Sequence, residues 1–173
     1  MKIFSMLFII SLLFSTVSAK DSNTTTPSFV LKTVNRGDIH IKEVPKGISI
    51  QELKDNKMVV LAFIAYNGQP CLHLIEILNE MKKRHKDFGA FAVEMRGLKG
   101  EKLKEFAKNK SIEFPIIGYE NSENFVNYIA KNAGWNGTMP FILVLNKKGE
   151  VKYMQIGLIP IEGFEKAYEE LKK

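Results

Sequence analysis

The chain is poor in cysteine: Cys71 is the only one among 173 residues. A single thiol excludes an intramolecular disulfide and every zinc site that is built from several cysteines. It also excludes a complete two-cysteine redox motif within the chain. The three histidines lie far apart, and no glycine-rich phosphate-binding motif is present. We therefore expect neither a bound metal nor a cofactor.

Positive charge is not concentrated in any one segment. The formal net charge is +6, but the lysines are spread along the whole chain. The densest basic run, residues 82–86, lies at the end of a predicted helix, where cations interact favourably with the helix dipole. Nucleic-acid binding would need a basic face interleaved with aromatic side chains. The charge pattern therefore predicts no nucleic-acid partner.

The N-terminal apolar run, residues 3–14, is shorter than the roughly 20 residues that a bilayer-spanning helix requires. It follows Lys2 and precedes small residues, with Val17 and Ala19 at the positions typical of a cleavage site. We predict a signal peptide over residues 1–19 and a periplasmic or secreted protein. The alternative is a retained N-terminal anchor, and only then do we expect membrane association.

The remaining chain is predicted to contain a flexible polar lead-in, residues 20–28, and one domain, residues 29–173. Eight successive apolar residues, 58–65, are typical of a central strand that is covered on both faces. The alternation of strands and helices predicts an α/β fold with helices on both faces of a central sheet. The predicted strands cover residues 29–34, 39–42, 58–65, 88–95, 141–145 and 151–156, and the predicted helices residues 70–86, 101–110, 121–132 and 161–171. Residues 112–119, interrupted by Pro115, are predicted to be a strand or an extended segment near an edge.

Three motifs resemble those of the thioredoxin superfamily. The tetrapeptide Gly68-Gln69-Pro70-Cys71 follows the central strand and opens a long helix, as the C-x-P-C motif of that family does. Thr138-Met139-Pro140 resembles the family's cis-proline loop, and residues 146–151 resemble its last hairpin. The branch that this chain resembles in particular is TlpA/ResA. The similar features are the two strands that precede the central strand, a βα insertion near residues 88–110 and the predicted export signal. The resemblance implies a thioredoxin-like fold with a central mixed β-sheet.

The motif departs from the family pattern at several positions. Gly68 stands where the family has its nucleophilic cysteine, so Cys71 occupies the second, resolving position. Asn67 stands where the family usually has an aromatic residue before the motif. Ala62 stands where many members of the family have a buried acid in the central strand. Peroxiredoxins carry a threonine three residues before the reactive cysteine, and in this chain that position is Gly68. We therefore expect no peroxidase chemistry.

Two interpretations of Cys71 remain open. Thiol–disulfide exchange needs an accessible thiolate and a second thiol that resolves the mixed disulfide. In the first interpretation Cys71 is the catalytic residue and forms a mixed disulfide with a thiol-containing protein partner, as an atypical oxidoreductase at most. In the second, Cys71 is a small packed residue, and the protein is a redox-inactive module that binds a peptide or partner protein.

The resemblance also implies where a partner binds. In the family, the backbone of the residue before the cis-proline pairs with an extended substrate segment, and here that residue is Met139. The turn over residues 66–71 would form the other side of the site. The candidate substrate-binding residues are Gly68, Gln69, Pro70, Thr138, Met139 and Pro140.

Four further residues each admit two interpretations. Glu94 and Arg96 end a strand at the edge where α/β folds bind ligands, and an ion pair between them explains their presence equally well. His73 either tunes the nearby thiol or is a solvated helix residue. Trp135 is interpreted as a packing residue, with partner recognition as the alternative.

Overall fold

The structure is a computed structural model that describes residues 26–173. The predicted signal peptide, residues 1–19, and residues 20–25 of the predicted lead-in lie outside the described residues. Ser28, which was expected in the lead-in, already belongs to the first strand. Among residues 26–173, no helix combines the length and the apolar character needed to cross a membrane.

The described residues contain eight strands, four α-helices and two single-turn 3-10 helices. The strands are β1 (Ser28–Lys32), β2 (Asp38–Val44), β3 (Gly47–Ile50), β4 (Met58–Ile64), β5 (Phe88–Glu94), β6 (Ile116–Gly118), β7 (Phe141–Asn146) and β8 (Val151–Ile156). The α-helices are α1 (Gln69–Arg84), α2 (Gly100–Asn109), α3 (Glu123–Ala133) and α4 (Ile161–Leu171). The 3-10 helices are Gln51–Leu53 and Tyr119–Asn121.

The strands form two sheets. The main sheet has the order β6-β5-β4-β7-β8, in which β4, β5 and β6 are parallel. Strand β7 runs antiparallel to β4, and β8 runs antiparallel to β7. Strands β1, β2 and β3 form a separate antiparallel sheet. The main sheet is therefore mixed, as the resemblance implies.

Strand β4 explains why both faces of the main sheet are covered. Every one of its residues is buried, and alternate side chains point to opposite faces, as the pleat of a strand requires. Val60 packs in a core with α1 and α4, whereas Phe63 packs in a second core with α3 and the three-stranded sheet. The continuous apolar run of β4 is thus accounted for by burial on both sides.

Strand β3 and the shortness of β6 were not predicted. β3 follows a turn in which Lys46 has a φ of 68°, and its residues Ile48 and Ile50 are buried. Of residues 112–119, predicted to be a strand or an extended segment, only the three residues of β6 form a strand. Pro115, just before β6, has no backbone N–H to donate, although its carbonyl accepts from Ala92 N at 2.9 Å.

The ends of two helices also differ from the prediction. Helix α1 ends at Arg84 because His85 has an extended backbone, with φ −126° and ψ 109°. Helix α3 begins at Glu123, and Ser122 precedes it without a side-chain capping bond. The Ser122 hydroxyl instead donates to the carbonyl of Gly118 at 3.0 Å. Gly134 ends the helix in a left-handed conformation with φ 62°.

Candidate functional site

A cavity of about 590 Å³ lies where three loops meet. One loop joins β4 to α1, the second follows β5, and the third precedes β7. Five of the predicted site residues line the cavity: Gly68, Pro70, Cys71, Thr138 and Met139. Gln69 is exposed outside the cavity, and Pro140 is buried beside it. The tertiary structure therefore brings both sequence motifs into a single site.

Cys71 lies in the first turn of α1 and is almost covered, with 2% of its surface exposed. Burial raises the pKa of the Cys71 thiol. A backbone hydrogen bond with Ala65 and the positive charge of Arg96 lower this pKa, while the carboxylate of Glu94 raises it. Because burial dominates, the thiolate is less populated at neutral pH than in an exposed cysteine.

Gly68 leaves room beside this sulfur. A Cβ atom at position 68 would lie 3.5 Å from the Cys71 Sγ and 3.6 Å from the Ala65 Cβ, which are ordinary van der Waals distances. The backbone of Gly68 has φ −90° and ψ 119°, which any L-residue adopts. Neither space nor backbone conformation requires glycine at this position.

The loop before β7 is held by an aromatic cluster beneath it. The Trp135 indole Nε1 donates to the carbonyl of Thr138 at 2.8 Å. The Trp135 ring stacks on Phe141 with ring centroids 4.8 Å apart, and it packs against Phe63 at the same separation. Trp135 is thus a packing residue, and it anchors the loop that lines the cavity.

The peptide bond between Met139 and Pro140 is cis. Met139 is half-buried, and neither its backbone N–H nor its carbonyl is hydrogen-bonded within residues 26–173. Asn136, which the sequence analysis did not single out, also lines the cavity. Its Oδ1 accepts from the backbone N and the hydroxyl of Thr138, at 3.2 and 2.8 Å. The sequence signal for this turn was the Asn136-Gly137 pair, which is typical of tight turns.

Glu94 does not form an ion pair with Arg96, which was one of the two interpretations of these residues. Its carboxylate is fully buried and accepts three backbone N–H groups. Oε1 accepts from Tyr66 at 3.3 Å and from Arg96 at 2.8 Å, and Oε2 accepts from Leu98 at 2.7 Å. Glu94 therefore joins the loop before α1 to the loop after β5, a function that sequence reasoning did not find.

Substituting Glu94→Gln is expected to lower the free energy of unfolding by about 2 kcal/mol, because one backbone N–H would then face an amide NH₂ instead of a carboxylate oxygen. Urea denaturation of both proteins measures this difference. The exposed substitution Glu76→Gln is the matched control and should have little effect. Equal stability of the Glu94 variant and the wild type would contradict the structural function of this carboxylate.

His73 does not contribute to the cavity. Its side chain is 59% exposed, and its Nδ1 lies 3.1 Å from the Oε2 of Glu76, which is one turn further along α1. The interpretation of His73 as a residue that tunes the thiol is therefore wrong, and the solvated interpretation is correct. Within residues 26–173, no three His, Cys, Asp or Glu side chains are grouped so that they could hold a metal ion.

In a comparison with protein families, the model of the AhpC/TSA family matches residues 23–154. The chain belongs to the AhpC/TSA family. This membership confirms the thioredoxin-like fold that the motifs predicted. No curated protein matches the chain in sequence.

Several solved structures share the fold of this family member. StoA from Bacillus subtilis is 20% identical and has a TM-score of 0.55, with 82% of this chain and 96% of that chain covered. A thiol:disulfide interchange protein from Chlorobium tepidum TLS is 18% identical, with a TM-score of 0.64 and coverage of 86% and 95%. A secreted disulfide oxidoreductase from Mycobacterium tuberculosis is 12% identical, with a TM-score of 0.59 and coverage of 83% and 96%. At these identities the likenesses show that the fold is shared.

Proposed function

We propose that the protein binds an extended segment of a partner protein in the cavity beside Cys71 and forms a mixed disulfide with it. One observation carries this proposal: the same cavity contains the Cys71 sulfur, the space left by the missing side chain of Gly68, and the unpaired backbone of Met139. A partner sulfur can enter the space that the family's first cysteine would fill. The similar proteins described as thiol:disulfide interchange protein and disulfide oxidoreductase support this chemistry.

The covalent step follows ordinary thiol–disulfide exchange. The Cys71 thiolate, having lost its proton to solvent, attacks one sulfur of a partner disulfide, and a new S–S bond forms while the partner's S–S bond breaks. The second partner sulfur leaves as a thiolate with the electron pair. Because this chain contains no second thiol, a thiol on a partner must later attack the mixed disulfide and release Cys71.

Burial of Cys71 favours a second candidate function. A thiol with 2% exposure and a raised pKa is a poor nucleophile at neutral pH. The same cavity and the same Met139 backbone can bind an extended peptide without any covalent step. In this alternative the protein is a binding module, and Cys71 serves only to pack the start of α1.

Thiol modification across pH separates the two functions. We expect native protein at neutral pH to react with a small alkylating reagent at least about tenfold more slowly than unfolded protein, because the thiol is covered. The native rate should rise with pH beyond the range of an exposed thiol, because burial raises the pKa of Cys71. Mass spectrometry follows the modification, and Cys71→Ser is the unreactive control.

A Cys71 thiol that reacts only after unfolding, at every pH, would overturn the mixed-disulfide function and leave peptide binding as the alternative. Slow modification of folded protein, together with mixed disulfides that disappear in Cys71→Ser, would support the first function. The folded state at each pH is checked by circular dichroism, so that alkaline unfolding is not mistaken for native reactivity.

We also propose that residues 1–19 are an export signal, that a lead-in follows over residues 20–27, and that the working domain begins with β1 at Ser28. The short apolar run and the small residues after it support export. So does the likeness to a secreted disulfide oxidoreductase from Mycobacterium tuberculosis. An oxidising compartment outside the cytoplasm would supply the disulfides with which a single thiol reacts.

A further inference from the structure

Arg96 is the charged residue of the cavity beside Cys71. It follows β5, and its side chain is exposed. Among residues 26–173, the guanidinium of Arg96 forms neither an ion pair nor a hydrogen bond. Arginine presents a planar set of N–H donors that matches a carboxylate in a bidentate pair. The cavity thus has a cation that is available for an external anion.

The acidic residue nearest in sequence, Glu94, does not form an ion pair with this cation. Both oxygens of Glu94 already accept backbone N–H groups, and the carboxylate is fully buried. Among residues 26–173, no Asp or Glu side chain lines the cavity. The exposed guanidinium of Arg96 therefore meets an incoming segment before the buried carboxylate does.

Neutral polar groups around Arg96 also suit an anion. The Oδ1 of Asn136 is occupied by Thr138, so its amide NH₂ remains available as a donor. Asn67 lines the same cavity and makes no side-chain hydrogen bond within residues 26–173. The formal net charge of +6 adds a long-range attraction for acidic partners.

We propose that the cavity selects a partner segment with an acidic side chain next to its cysteine, and that Arg96 binds the carboxylate. This inference rests on the proposed function, because it names the substrate class of the same site. A small thiol with carboxylates, such as glutathione, has the same chemistry. An extended acidic peptide is favoured because the unpaired backbone N–H and carbonyl of Met139 line the same cavity.

Binding without the covalent step tests the inference by itself. Two fluorescent peptides, each with one cysteine flanked by Glu or by Gln residues, are titrated into the Cys71→Ser protein at low salt. We expect the Glu peptide to bind about fivefold more tightly, as an exposed charge pair allows. High salt should reduce this preference.

Arg96→Gln should abolish the preference for the Glu peptide. Arg36→Gln is the matched control, since Arg36 is an exposed arginine in the β1–β2 turn outside this cavity and its loss changes the net charge equally. Equal affinity for the two peptides, failure of both peptides to bind, or a preference that survives Arg96→Gln would each overturn the inference.

Wild-type protein then tests the covalent step, with the same peptides activated as mixed disulfides of thionitrobenzoate. The Cys71 thiolate attacks the peptide sulfur, and the electron pair leaves on the coloured thionitrobenzoate, whose absorbance gives the rate. Faster reaction of the Glu peptide, lost in Arg96→Gln, supports both proposals. Selective binding with no covalent reaction supports the inference and overturns the mixed-disulfide function.

Glutathione disulfide separates the two sources of the carboxylate. For each disulfide, the rate with wild-type protein is divided by the rate with a free model thiol. If this ratio is smaller for glutathione disulfide than for the activated Glu peptide, an extended peptide is supported as the ligand class. If glutathione disulfide is the faster reactant and Arg96→Gln slows it, the peptide is overturned as the ligand and a small acidic thiol takes its place.

Discussion

Gly68→Cys is expected to convert the protein into a dithiol oxidoreductase. A Cβ atom at position 68 fits without displacement, because it would lie 3.5 Å from the Cys71 sulfur. The introduced thiol would lie at the N-cap of α1, where the helix dipole lowers a thiol pKa. Turnover should rise by at least about 100-fold over wild type, because resolution of the mixed disulfide becomes intramolecular.

Reduction of insulin disulfides by dithiothreitol, followed by turbidity, measures this gain, and thiol titration after mild oxidation shows whether the two thiols have paired. Gly68→Ser is the matched control, since it adds a Cβ and a polar atom without a second thiol. The double substitution Gly68→Cys with Cys71→Ser keeps only the helix-terminal thiol and should not turn over. Two thiols that both remain free after oxidation would show that the site has diverged beyond the loss of one cysteine.

Trp135→Ala is expected to have the largest effect on stability. The Trp135 ring is buried against Phe63 and Phe141, and its removal leaves a cavity in the second core. Loss of a buried aromatic side chain costs about 3–5 kcal/mol of unfolding free energy. The Thr138 carbonyl also loses its indole donor, so affinity for an extended peptide should fall together with stability.

Urea denaturation gives the change in stability, and peptide titration at temperatures where both proteins are folded gives the change in affinity. Trp135→Phe is the informative control, because it keeps a ring on Phe141 but removes the hydrogen bond to Thr138 and a small part of the buried ring volume. This variant should lose about 1–2 kcal/mol. If Trp135→Ala lost no more stability than Trp135→Phe, the ring would not anchor the loop through packing.

Local patterns in the sequence predicted most of the fold. The unbroken apolar run of β4 predicted a central strand, and that strand is buried on both faces. Strand β3 was missed because four residues that follow a turn carry too short an alternation, although Ile48 and Ile50 show it. Pro115 limits β6 to residues 116–118. The proline is visible in the sequence, but the sequence does not show how short the strand becomes.

The residues that line the cavity were predicted better than the contacts that they make. The two motifs around Cys71 and Met139 do line one cavity. Of the two interpretations of Glu94 and Arg96, the ion pair was wrong, because sequence proximity does not show that backbone N–H groups from two loops bind the carboxylate. Asn136 was missed because its function depends on where its turn lies in space.

By itself, the sequence determined the family, the order of the elements and the presence of a single cysteine, Cys71, since these depend on residue identity and short-range periodicity. Only the tertiary structure decided that Cys71 is buried with a raised pKa and that the Glu94 carboxylate accepts three backbone N–H groups. It also decided that the Arg96 guanidinium has no hydrogen-bond or ion-pair partner among residues 26–173. Burial and hydrogen-bond pairing arise where loops from different strands meet, and no local pattern in one segment contains the partners that another segment brings.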